Sequence, residues 1–369
     1  MILLGARQVG KTTILKKIFP KGHYLTVDNE PIRRNLDRYD VSVYKQILPQ
    51  NNKTIIIDEI HLLKDPGKAA KIIFDQIENI KLIITGSSSL RIKNKSSESL
   101  AGRKIDYYLY PLTFSEYIAQ KGIENKLNFN ILENIINGKK LVEKKAYPFD
   151  ISAILDNMLL YGQYPAIINH PNDELYLKNL VDSVVFKDLL DLNLIENKQT
   201  ALNLLRLLAY QIGSLVNISE LSNRLSTDVK TIKKYISVFE QSFIIFSIYP
   251  YLKRGRDEIG KMPKIYFYDT GLRNAIIDNF QPLSARIDAG ALFENFIISE
   301  IKKQNYYNSN EFNLHFWRTK QGSEIDLILK KNNTLYAVEI KKGGKKINMA
   351  FKKRYPHAKL KVITKSNFY

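Results

Sequence analysis

At 369 residues and 44% hydrophobic content the chain is long enough for two or three packed domains, and with no cysteine it has neither disulfides nor thiolate metal sites. No run of about 18 uncharged apolar residues is present, so a transmembrane span is not expected. The net charge of +19 favours an anionic partner, DNA or RNA first, although a Lys-rich solvated surface accounts for the same excess. The first ten residues pass from an apolar run straight into a glycine-rich turn, with no basic leader or cleavage site, so a cytoplasmic protein is expected.

The turn is Gly5-Ala6-Arg7-Gln8-Val9-Gly10-Lys11-Thr12, a full G-x-x-x-x-G-K-[ST] P-loop. Met1-Ile2-Leu3-Leu4 before it reads as a buried strand. Ile14, Leu15 and Ile18 after it recur at helical spacing, so the loop joins a strand to a helix as a phosphate cradle requires. In that setting the backbone N–H groups from Gly5 to Thr13 turn onto phosphates, Lys11 reaches the β- and γ-phosphates, and the Thr12 hydroxyl holds a magnesium ion.

Four more apolar runs follow at βα spacing: Tyr24 to Val27, Ile55 to Ile57, Leu82 to Ile84 and Tyr107 to Leu109, with helical stretches at Ile32 to Leu48 and Gly67 to Glu78. Their continuous apolar character predicts an α/β core with a parallel sheet buried on both faces. Ile55-Ile56-Ile57 runs into Asp58-Glu59. Asp58 is thereby placed at the carboxyl edge of the sheet to bind magnesium through water, with Glu59 beside it to polarise the attacking water. Ile83-Ile84-Thr85-Gly86-Ser87-Ser88-Ser89 ends another strand in hydroxyl groups, one of which can sense the γ-phosphate. Ser88 is the candidate, with Ser87 and Ser89 left open. Arg103, in Leu100-Ala101-Gly102-Arg103, stands before the last strand. It either acts in trans on a neighbouring subunit's nucleotide, which requires a homo-oligomer, or is a surface residue.

Helix-period stretches at Leu202 to Leu215, Ile218 to Leu225 and Val229 to Phe243 follow, the third opened by Ser226-Thr227-Asp228 as a cap. With a strand at Phe243 to Tyr249 they predict a winged helix-turn-helix carrying Lys230, Lys233 and Lys234 on its recognition helix, serving either DNA or protein contact. After a basic connector, Lys253-Arg254-Gly255-Arg256, and a strand at Lys264 to Tyr268, an amphipathic helix around Ala291 to Ile297 bears Glu294. Strands at Leu314 to Arg318, Glu324 to Leu329 and Leu335 to Lys341 carry Asp326 and the Glu339-Ile340-Lys341 triplet, turning at Lys331-Asn332-Asn333. Strand alternation puts Glu339 and Lys341 on one face. From Lys330 to Tyr369 there are 12 Lys or Arg against one acid, Glu339.

The first-domain elements together resemble the AAA+ ATPases, which implies ATP and magnesium as ligands. ITGSSS, LAGR and Tyr110-Pro111-Leu112-Thr113-Phe114-Ser115-Glu116-Tyr117 are more narrowly similar to prokaryotic AAA+ proteins that carry a carboxyl-terminal domain of unknown function, family 4143. Tyr161-Gly162-Gln163-Tyr164-Pro165-Ala166 resembles that family's Gly-Gly-aromatic-Pro element, with Gln163 at the second glycine. Members usually have residues ahead of the first strand that pack near the adenine, and here Met1 almost starts it. The helix glutamate, the aspartate and E-x-K are similar to the PD-(D/E)xK nuclease core. The resemblance implies a second magnesium or manganese at Asp326 and Glu339, completed by Glu294, with Lys341 activating water. An inherited fold that no longer cuts, with Glu339 and Lys341 as an ion pair, is the alternative.

The expected organisation is an ATPase core over 1–117, a helical lid or linker over 118–200, a winged helix over 201–250, a connector over 251–288 and a nuclease-like α/β domain over 289–369. The expected role is ATP hydrolysis coupled to nucleic-acid binding or processing. The alternative is an ATP-switched scaffold or regulatory binding protein whose nuclease-like domain is inactive.

Overall fold

Five short segments, β1 (Ile2–Leu4), β2 (His23–Thr26), β3 (Thr54–Asp58), β4 (Lys81–Gly86) and β5 (Asp106–Tyr108), pair in parallel in the order β2-β3-β4-β1-β5. They belong to a computed structural model that describes residues 1–49, 53–87, 104–122, 129–137, 150–183, 195–252, 262–319, 321–341 and 349–368. The chain divides into two units. One comprises Met1–Tyr110, Asp182–Glu196 and Ser237–Ile244, the other Pro111–Val181, Asn197–Ile236 and Ile245–Tyr369.

In the first unit β4, the strand that ends in hydroxyl groups, lies between β1 and β3. Leu3, Ile56 and Ile83 on three of these strands bury a common face with Leu15 of the helix Lys11–Ile18, so the helix after the P-loop is anchored by a residue four positions beyond Lys11. The stretch Ile32 to Leu48, expected as one helix, is two: Glu30–Leu36 and Val41–Ile47. The break has a local cause. Tyr39 adopts a left-handed φ of 54°, and the Asp40 carboxylate accepts from the amides of Ser42 and Val43, capping a new helix start.

In the second unit the helix Phe114–Gln120 runs across the start of the expected helical segment, 118–200, which contains Ile131–Asn137, Ile151–Tyr161 and Glu174–Val181. Helices at Lys198–Tyr210, Ile218–Arg224 and Val229–Gln241 follow close to their predicted positions, and Asp228 caps the third through the Thr231 amide at 2.8 Å. The strand after them differs from expectation. β6 (Ile245–Pro250) pairs antiparallel with β7 (Lys264–Phe267) but also parallel with β8 (Asn313–Arg318). It is an interior strand of a six-stranded sheet, β11-β10-β9-β8-β6-β7, completed by β9 (Glu324–Lys331), β10 (Thr334–Lys341) and β11 (Lys359–Thr364). A wing strand would keep one free edge, whereas β6 has neighbours on both.

The helix bearing Glu294 is longer than predicted, Ala289–Tyr307, and is buried almost all round rather than amphipathic, because it packs on β7, on β10 and on the helix Ile131–Asn137. Its polar side chains are paired. Glu300 accepts from the Phe114 amide at 2.9 Å and the Gln163 side chain at 2.7 Å, while Lys303 donates to Gln163 at 3.2 Å and to the Leu112 carbonyl at 3.1 Å. Gln163 therefore bridges both members of a fully buried ion pair, which a glycine at that position cannot do. Gly162 before it has φ +81°, and a Cβ there would stand 2.2 Å from Asp269 Oδ1. No helix among the described residues is long and apolar enough to cross a membrane.

Candidate functional site

The P-loop helix starts on Gly10, whose φ of +94° favours glycine, and it has neither a side-chain cap nor an acid in its first turn. A helix amino terminus left without a side-chain cap presents amide N–H groups and positive dipole to an anion, so the cradle fits phosphate. Lys11 is 4% exposed, and its ammonium donates to the carbonyls of Gly5 and Ala6 at 3.0 Å each while lying 3.8 Å from Glu59. Neutral carbonyls and a distant carboxylate are partners that a phosphate oxygen can replace.

Asp58 stands where predicted, at the carboxyl end of β3, and gathers three hydroxyls. Thr12 donates to its Oδ2 at 2.7 Å, Tyr24 donates to the same oxygen, and Thr85 donates to Oδ1. The register explains the set: Ile57 pairs with Ile84 and Thr26 with Asp58, so the ends of β2, β3 and β4 lie side by side. Thr12 and Asp58 already share a hydrogen bond, and that pair fits a magnesium ion held by one hydroxyl and one carboxylate. Burial and then the bond to Asp58 push the Tyr24 phenol well above its usual range.

Glu59 leaves the strand in a left-handed conformation, φ 55°, and its amide donates to Thr85 Oγ1 at 3.1 Å. Non-glycine residues adopt that conformation at a cost, and here it turns the carboxylate toward Lys11 and His61. His61 Nδ1 is 3.1 Å from Glu59 Oε2, and its Nε2 is 3.3 Å from the buried Ser87 hydroxyl. Burial alone would raise the Glu59 pKa. The Lys11 charge, the His61 ring 3.1 Å away and the Arg7 charge outweigh it and hold the group at about 2.

Tyr24, His61 and Thr85 were not singled out by the sequence. Thr85 lay inside the hydroxyl-rich string, and its signal is the register opposite the β3 terminus. His61 carries no signal, because only the left-handed turn at Glu59 brings it back. Ser87, one of three candidate serines, does meet the site through His61, whereas Ser88, Ser89 and Arg103 lie outside the described residues.

The second cluster assembles in the other unit. Lys264 on β7 is 3% exposed, 3.5 Å from Glu294 and ion-paired with Glu324 on β9. Tyr266 donates to Glu294 at 2.7 Å, and Arg318 lies 3.6 Å from Glu324. Asp326 Oδ2 accepts from the Ile340 amide at 2.7 Å, just beyond the last ladder pair between β9 and β10, Leu327 with Val338. Burial, then the nearby Glu294 charge, push Asp326 up to about 7. Glu339 pairs with Lys341 at 2.6 Å. The fold thus brings the Glu294 and Asp326 fields together, yet no group of three or more His, Asp or Glu side chains fit to hold a metal forms among the described residues. Lys264, Tyr266 and Glu324 are members that the sequence did not indicate, since a lysine and a tyrosine in an apolar strand look like ordinary strand residues.

Residues 1–118 match the AAA domain family, 152–283 a domain of unknown function, DUF8612, and 289–367 another, DUF4143. An uncharacterized protein of Methanocaldococcus jannaschii is 27% identical over 338 residues, covering 84% of this chain and 70% of its own. Uncharacterized proteins of Haemophilus influenzae and Mycobacterium tuberculosis are 24% and 23% identical, covering 83% and 93% of this chain and 74% and 70% of theirs. Among solved structures, Cdc6p from Pyrobaculum aerophilum aligns over 75% of this chain and 86% of its own at 13% identity, with a TM-score of 0.22.

Proposed function

We propose that this chain, an AAA+ ATP-binding protein with a DUF4143 domain at its carboxyl end, hydrolyses ATP at the P-loop and uses the cycle to switch a basic nucleic-acid-binding surface. The observation that carries the first part is the junction of five groups: Thr12 on Asp58, and Glu59 between Lys11 and His61. A magnesium ion held by Thr12 and Asp58 would neutralise phosphate charge during transfer. Lys11 exchanges its loop carbonyls and Glu59 for phosphate oxygens. That exchange removes the charge that most lowers the Glu59 pKa, so its proton affinity rises when it must polarise water. Thr85 fixes both acids, through the Asp58 carboxylate and the Glu59 amide. His61 holds the Glu59 carboxylate in place, itself steadied by Ser87.

The nucleic-acid part rests on charge: +19 overall, with 12 Lys or Arg against one acid in the last 40 residues. Lys230 and Lys233 are exposed on the third helix of the predicted winged helix. Arg103 acting in trans would make the ATPase a homo-oligomer, and sedimentation with and without ATP tests it.

Two assays test the proposal. Purified chain should hydrolyse ATP with magnesium and stop in EDTA, and turnover that persists in EDTA contradicts the metal-dependent mechanism. Binding to DNA or RNA should weaken about a thousandfold between 50 and 200 mM salt if some six phosphates are contacted, whereas a flat salt response contradicts the nucleic-acid reading.

A further inference from the structure

We infer that the Lys264 ammonium takes the place in the carboxyl-terminal carboxylate cluster that a divalent cation would otherwise hold, so that this cluster is charge-balanced within the chain and binds neither magnesium nor manganese. The nuclease-like pattern implies a metal at Asp326 and Glu339 with Glu294 beside them. The side chains present do not fit one. A magnesium or manganese ion fills most of its six positions with water but needs at least one or two carboxylates free to turn onto it. Here Glu294 Oε1 already accepts from Tyr266 and faces Lys264, Glu324 is paired with Lys264 and Arg318, Asp326 Oδ2 is committed to the Ile340 amide, and Glu339 is paired with Lys341.

Lys264 is not a surface lysine that has folded inward. Its backbone is fixed on two sides, by pairing with Ile248 on β6 and by a bridge to Leu215, and only 3% of the residue is exposed. The ring of Phe316 lies 5.5 Å from the ammonium, forming a wall on which the cation rests. Desolvating an ammonium costs several kcal/mol unless good partners surround it, and two carboxylates with an aromatic face supply them. A residue buried at that cost, with its charge directed at Glu294 and Glu324, serves as the internal cation of the cluster. The DUF4143 domain would then keep a nuclease-like arrangement of acids while acting as a binding module without metal-dependent cleavage.

The test uses the full chain without nucleotide and manganese as the probe, followed by electron paramagnetic resonance and by thermal unfolding. Wild-type protein should show no manganese site that disappears in Asp326→Asn, and its melting temperature should not respond to manganese through this cluster. Lys264→Met should be less stable and should regain stability on adding manganese, with binding at least about tenfold tighter than in wild type because one opposing charge within contact distance has gone. Lys264→Arg keeps the charge and should remain indifferent to the metal. A wild-type manganese site lost in Asp326→Asn overturns the inference, as does a folded Lys264→Met protein whose manganese response equals that of wild type.

Discussion

Two buried lysines that face acids, Lys11 in the first unit and Lys264 in the second, have opposite prospects. Lys11 is bonded to two loop carbonyls and is 3.8 Å from the nearest carboxylate, at the start of a helix that no side chain caps. Lys264 is clamped by Glu294 and Glu324 at the start of the edge strand β7, with an aromatic ring behind it. Burial is the same in both. What separates them is whether an incoming group can replace the partners: a phosphate outcompetes neutral carbonyls, whereas nothing short of another cation replaces an ammonium held by two carboxylates. A buried lysine thus marks a binding site only when its present bonds are weaker than those a ligand offers.

The largest effect should come from breaking the first side of this comparison. Lys11→Ala should weaken ATP binding by on the order of a hundredfold or more, measured by titration calorimetry, since it removes a charge-assisted contact to phosphate in a buried site. ATP affinity within a few-fold of wild type would mean that the helix terminus alone holds the phosphates. Next is Thr85→Ala, which should cut kcat about tenfold to a hundredfold at nearly constant KM, because both acids lose a positioning bond while the phosphate cradle is untouched. A rise in KM alone would place Thr85 in binding rather than in chemistry. The smallest is His61: His61→Ala should lower kcat by about tenfold and His61→Gln, which can still donate to Glu59, should recover most of it. Equal losses in the two variants would leave His61 a packing residue.

How much of this was legible follows from the range of the contacts. The P-loop and Asp58-Glu59 are local strings whose spacing is set by backbone geometry, so the sequence located them directly. The inner strands β1, β3 and β4 read as continuous apolar runs because they are buried on both faces, whereas the edge strands β2 and β5 are only partly buried. Thr85 was half legible, inside a quoted string but passed over for the serines after it, since only strand register places its hydroxyl on Asp58. His61 depends on the left-handed backbone of Glu59, which local propensity disfavours and therefore does not predict. In the second unit the pairing of β6 with β8 joins residues more than sixty positions apart, and no local pattern distinguishes that strand from the edge of a wing. Lys264 was hidden for the same reason. Its acids come from β9 and from the helix Ala289–Tyr307, so its charge gains meaning only once the sheet has formed. The helix differs in the other direction: its sequence reads as amphipathic around Ala291 to Ile297, yet it is buried almost all round, and Glu300 and Lys303 pair within it.

The account stands most directly on Glu59. In a single-turnover experiment with magnesium and excess protein, wild-type chain should convert bound ATP to ADP, while Glu59→Gln should bind ATP at near wild-type affinity and convert it at least about a hundredfold more slowly. Conversion by Glu59→Gln at the wild-type rate would contradict the assignment of the water-polarising group and, with it, the catalytic reading of the site.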